Sequence, residues 1–268
     1  MLGLRARVLV TVKAYPNPSQ SRGETVCVAG VRLDGPQQSW IRLFPISFRA
    51  LEHDDQFEKY RVLDLDVRPA GDGRAESFHP SPSSIELHEF LSSSQGWKAR
   101  WALLADLAGE TTSCRLAANA AGGGPSLGMV KPLVDGLDIT PTPPFTAEQR
   151  RVVEEAAAPD LFSSQRSILE PAPFTLYYRY RCVEVGCRGH RQSSVDWEAG
   201  QLARKLLEQG RSESEIPSLL RTKFLDQMCG PDRDTYFYLG NLAKHPRSFM
   251  VLGVFWPPSG SRPLPTLF

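Results

Sequence analysis

The chain begins with short apolar runs separated by turns. Residues 6–13 (Ala-Arg-Val-Leu-Val-Thr-Val-Lys) are rich in β-branched side chains and predict a strand. Two prolines follow at Pro16 and Pro18. A second strand is expected over 25–33, a turn at Asp34-Gly35-Pro36, and a third strand over 40–44. Residues 47–51 predict one helical turn. In 60–67, Leu63, Leu65 and Val67 alternate with Asp64 and Asp66, the period-2 signature of a half-buried strand. Residues 85–90 are a further strand candidate. Many short strands with Pro and Gly turns predict a small closed barrel, which removes exposed edges.

The period changes after residue 96. Trp97, Trp101, Leu104 and Leu107 lie near one face of a helix over 96–107. The Ala- and Gly-rich run 117–127 reads as a loop, and the Pro-rich 141–144 as the end of the first unit. Thr146 and Gln149 form a capping box opening a helix to about 157. From 171 onward the pattern is a strand over 175–182, a helix over 196–209 stopped by Gly210, a second helix carrying Leu219, Leu220, Phe224 and Met228, and strands over 235–239 and 249–255. The fold class expected is α+β. A β-rich barrel unit spans 1–140, a helix and linker span 141–170, and an α+β unit spans 171–268, with a helical pair on a small antiparallel sheet.

Composition adds bounds. The 268 residues carry a net charge of +1, with 41% hydrophobic and 23% charged residues. That is the balance of a globular protein, and any binding of nucleic acid must rest on a local patch. No apolar run is long enough to span a bilayer, so no membrane is expected to be involved. The N-terminal residues lack a signal-peptide h-region. Five scattered cysteines do not make a disulfide framework. The expected setting is a reducing cytoplasm, where clustered thiols more often hold metal.

The densest chemistry lies in 182–198. Cys182, Cys187 and His190 offer three soft ligands suited to zinc, with Cys229, His245 or water as the fourth. Alternatively, the cysteines simply flank a glycine turn. Asp196 and Glu198, with His190, could serve a metal-dependent nuclease or phosphoester hydrolase as catalytic groups. The same two acids also suit a helix start, where they oppose the macrodipole. Lys244, His245 and Arg247 gather on an expected hairpin loop. In the first unit Lys13, Arg42 and Arg49 lie among Tyr15 and Trp40, the mixture of cations and aromatics that nucleic acid requires. The opposite reading places each aromatic in the core and each arginine in water.

The strings Val8-Leu-Val-Thr-Val-Lys13, Glu24-Thr-Val-Cys-Val-Ala-Gly30 and Trp40-Ile-Arg-Leu-Phe-Pro45 resemble the start of bacterial proteins with a dual OB-like domain. The resemblance covers about the first 70 residues and departs from the family at Tyr15-Pro-Asn-Pro18. It implies OB-like barrels that bind nucleic acid or nucleotides, DNA or RNA, beside mobile-element or defence systems. It supplies no catalytic residue for the C-terminal half. The expectation is a nucleic-acid-binding protein contacting its ligand through Lys13, Tyr15, Trp40, Arg42, Arg49, Lys244 and Arg247. Its C-terminal unit would be held by zinc, with a protein partner docking on the Pro-rich tail 263–268.

Overall fold

The computed structural model describes residues 3–20, 23–51, 56–158 and 167–263. The expected tail contact falls on residues of which 264–268 lie outside that range. The fold is mixed α+β. In the first sheet β1 (Leu4–Lys13), β2 (Val26–Arg32) and β3 (Ser39–Ile46) form an antiparallel meander. β3 then runs parallel to β5 (Ser77–Pro80), which pairs with β4 (Arg61–Pro69), and β4 returns to β1. The result is a closed five-stranded barrel, with β6 (Glu86–Phe90) added outside β4. Alternation builds its interior: Val8 and Val10 of β1, Val28 of β2, Ile41 and Leu43 of β3, and Leu63 and Leu65 of β4 all point inward. Asp66 faces out.

The helix α1 (Ser94–Leu104) follows, then α2 (Ser113–Asn119), which occupies the start of the run read as a loop. β7 (Leu127–Val130) and β8 (Pro132–Pro141) come next, separated only by Lys131. After α3 (Ala147–Ala157), β9 (Phe174–Cys182) and β10 (His190–Ser194) lead into α4 (Trp197–Glu208), α5 (Ile216–Arg221), β11 (Tyr236–Leu242) and β12 (His245–Phe255). The capping box of α3 forms as expected.

The second sheet runs β7-β11-β12-β10-β9-β8. Its two outermost strands are consecutive in the chain, so it curls until its ends meet through Lys131. Treated as one bent strand, β7–β8 pairs with β9 and β11, β10 pairs with β9 and runs parallel to β12, and β11 pairs with β12. That is the connectivity of the first barrel repeated. The sheet is therefore mixed, not the small antiparallel sheet expected, and it takes residues 127–141 from the far side of the expected boundary at 140. Periodicity missed β7 because all four of its residues are buried, leaving no alternation to read.

Among the described residues three apolar cores result. One fills each barrel. The third lies between them, joining Leu9, Val31 and Val62 from the outside of the first barrel to Met129, Tyr238 and Phe255 of the second, with Trp97 and Trp101 of α1 wedged in. The Phe255 ring meets Trp101 at 4.9 Å and Trp97 at 5.1 Å.

Charged groups are buried at the same junction. Lys59 Nζ lies 2.6 Å from Asp196 Oδ1 and 3.2 Å from Glu198 Oε2. Lys59→Met is expected to leave the Asp196 carboxylate buried without its cation and cost about 3–5 kcal/mol. Chemical denaturation reads this directly; a loss below about 1 kcal/mol, the surface-pair range, would contradict it.

Candidate metal centre

Four donor atoms converge where α2 meets the β9–β10 loop. The Sγ atoms of Cys114, Cys182 and Cys187 and a ring nitrogen of His190 all lie within 4.8 Å of one another, an arrangement that can hold a metal ion. Cys114 Sγ is 3.6 Å from both Cys182 Sγ and His190 Nε2, and Cys187 Sγ is 3.3 Å from His190 Nε2. Local structure fixes each donor. Thr112 caps α2, its side chain accepting from the Arg115 N–H, and so sets Cys114 in the first turn. Cys182 ends β9, and pairing of His190 with Tyr180 aligns the start of β10. Burial pushes the Cys182 thiol up, but hydrogen bonds from the Glu184 backbone, His190 and Cys114 outweigh it and bring the group down to about 6. The Cys114 thiol is pushed up to about 12 by burial and by its contacts with Cys182 and Cys187.

Three of the four expected ligands are therefore together, and the fourth is corrected. Cys229 lies elsewhere, its thiol against the Phe224 carbonyl at 3.5 Å and pushed up to about 12 by burial. Cys114 takes that place. It is 68 residues from Cys182, beyond the reach of any local spacing rule.

The acids do not join this cluster. His190 opens β10 and Asp196 follows its far end, so about 20 Å of extended chain separates them. Asp196 is 5% exposed. It caps α4 by accepting from the Glu198 N–H at 3.0 Å while it holds Lys59. The structure does not bring His190, Asp196 and Glu198 into one catalytic constellation, and the helix-start reading of the acids is the one seen.

The expected nucleic-acid contacts are mostly drawn into the junction between barrels. Arg42 is 4% exposed, donating to the carbonyls of Asn241 at 2.7 Å and Ser126 at 3.0 Å. Trp40 packs edge-on to Tyr238. Tyr15 donates to the Glu170 carbonyl at 2.7 Å, accepts from Arg204, and lies against Trp197. Helix α4 comes so close here that a Cβ at Gly200 would sit 2.7 Å from the Tyr15 ring. Arg49 bridges Glu24 and Ser167. Lys13 donates to the Phe57 carbonyl at 2.8 Å with its ammonium 3.6 Å above the Phe48 ring. Lys244 and Arg247 remain exposed on the β11–β12 hairpin.

Two five-stranded barrels of one connectivity, fused through a shared core, with a Cys₃His donor cluster on the second, define a tandem-barrel protein. Residues 109–268 match the model of a family described as a domain of unknown function, DUF8757, and the chain belongs to that family. Residues 4–106 match a second such model, DUF8758. No curated protein matches the chain. Among solved structures, it is similar to a chain from "Structure and Conformational Change of a Replication Protein A Heterotrimer Bound to ssDNA", with 11% identity and a TM-score of 0.37. The match covers 97% of this chain and 50% of that one, so this chain spans half the length of its neighbour. Among the described residues, no helix is long and apolar enough to cross a membrane.

Burial, and then the nearby Lys59 charge, bring Lys13 down to about 8. Its folded value thus lies below the unfolded one, so the buried charge costs stability below pH 8. The cost fades as pH rises to the unfolded value of about 10.4, because there only the unfolded chain keeps the proton. Between about pH 7 and about pH 10.5, wild type should gain on the order of 2–3 kcal/mol relative to Lys13→Met. Paired denaturation curves check this; a constant difference would contradict it.

Proposed function

We propose that this protein binds nucleic acid through the second of two OB-like barrels, and that a structural zinc ion held by Cys114, Cys182, Cys187 and His190 braces that barrel. One observation carries the binding reading: β9 and β10 turn Arg179, Arg181 and Arg191 outward to solvent, while the matching strands of the first barrel face the junction. β9 and β10 are the second and third strands of their barrel. In OB-like barrels that face and the loop between strands four and five meet oligonucleotides. Here the latter is the β11–β12 hairpin with Lys244 and Arg247.

The donor chemistry supports zinc. A tetrahedral zinc with Zn–S near 2.3 Å and Zn–N near 2.0–2.1 Å sets neighbouring donors roughly 3.5–3.8 Å apart. The two separations of 3.6 Å fall within that range, and the third, 3.3 Å between Cys187 and His190, is slightly shorter. A closed set of four protein donors is a structural site, with no open position for substrate.

The logarithm of affinity for a labelled oligonucleotide should fall linearly with the logarithm of salt, because bound arginines displace condensed counterions. Salt-independent binding, or none, would refute the binding reading. Elemental analysis should find one zinc per chain, retained in Cys229→Ser and lost from Cys114→Ser. At free zinc about 1,000-fold above Kd, the metal contributes about 4 kcal/mol, so chelation should lower the melting temperature by roughly 8–16 °C.

A further inference from the structure

The β9–β10 loop is patterned in reverse. Glu184, its acid, turns inward: it accepts from Thr112 Oγ1 and from Arg115 Nε, each at 3.0 Å, and its carbonyl accepts from the Cys187 N–H. Its neighbours Val183 and Val185 turn outward and are 58% and 100% exposed. An ordinary surface loop would reverse that choice, since exposing aliphatic area to water is unfavourable. The orientation is not loose. Cys182 and Cys187 place both ends of the segment at the donor cluster, and Gly186 supplies the φ of 81° that the tight return requires. The loop is thus a stiff mount for two bare valines.

Its surroundings are cationic. Arg181 and Arg188 flank the valines and are exposed. Along the same face, the Arg191 guanidinium stacks 4.0 Å above the Tyr177 ring and keeps 53% of its side chain open to solvent. A guanidinium held over a phenol ring joins a cation to an aromatic surface, and unstacked bases lie on such groups. The interspersed acids are already engaged: Asp138 by Arg179 and Arg191, Asp135 by Arg181 at 3.9 Å, and Glu184 by Arg115.

We propose that this face takes single-stranded nucleic acid, with a base on the Arg191–Tyr177 platform, phosphates against Arg181 and Arg188, and Val183 and Val185 covering the apolar faces of the next nucleotides. The proposal rests on the nucleic-acid reading and narrows it to unpaired strands and to this loop. The donor cluster is then part of the binding surface, since it sets the valines at the end of the platform.

The test uses the full-length, zinc-loaded chain and fluorescein-labelled oligothymidylate, with a duplex of equal length as competitor. Wild type should prefer the single strand. Arg181→Ser/Arg191→Ser should weaken binding at least about tenfold and reduce the salt slope by about 0.7, one phosphate contact's worth on a single strand, the rest of the loss coming from the base platform. Val185→Asp should weaken it at constant zinc content and melting temperature, which separates contact from folding. Lys244→Ser/Arg247→Ser serves as the comparison and should lose less than the platform variant. If wild type binds and the platform and valine variants bind equally well, the proposal falls while the nucleic-acid reading stands. Equal or better binding of duplex overturns the single-strand assignment. If wild type binds neither form at low salt, both readings fall together. Loss of protein binding to an added acidic polypeptide, poly-glutamate, with oligothymidylate binding unchanged, would make the loop a protein contact and also overturn the proposal.

Discussion

Two cations of the first barrel, Lys59 and Arg42, are almost wholly removed from water, and the second barrel supplies what they hold. A buried charge without a partner is among the costliest defects in a folded chain. The rest of the architecture follows from that dependence. The apolar layer around Phe255, the wedge of α1 and the contact of α4 with Tyr15 all assume the register that these polar anchors fix. Apolar burial supplies most of the favourable free energy but little direction. The anchors decide which of many greasy contacts is the native one.

The same junction explains where the sequence was legible and where it was not. In β4, Leu63 and Leu65 alternating with acids disclosed both the strand and its inner face, because a barrel interior imposes period 2. Alternation tells which side a residue faces, not what covers that side. Arg42 sits where a solvated or ligand-facing cation would sit, and the carbonyls of Asn241 and Ser126 make it an interior group; Lys13 is taken inside mainly by Phe57 and Phe48 of its own half. β7 was hidden by burial on both faces, and the Pro-rich run 141–144, read as the end of the first unit, begins only at the last residue of β8. The donor cluster was three-quarters legible. Cys182, Cys187 and His190 announce themselves by proximity, whereas Cys114 is an isolated thiol in a helix start, one of three lone cysteines with equal claim until the fold selects it.

One strand connectivity recurs in both halves, with opposite surroundings for the same face. In the first barrel the outer face of the second and third strands is turned to the partner barrel; in the second it is turned to solvent. The soft-donor cluster lies at the end of the solvent-facing strands, away from the shared core.

The position of Phe255 in the shared core bears on how the chain is made. All five strands of the first barrel have left the ribosome once β5 is complete, yet the layer that covers their outer apolar face awaits β11 and β12, the last strands to appear. At roughly 5–20 residues per second, that face stays uncovered for on the order of ten seconds or more. During synthesis the first half is thus a finished barrel with an unfinished exterior, a form for holding chaperones to shield, and the native structure is sealed from its C-terminal end.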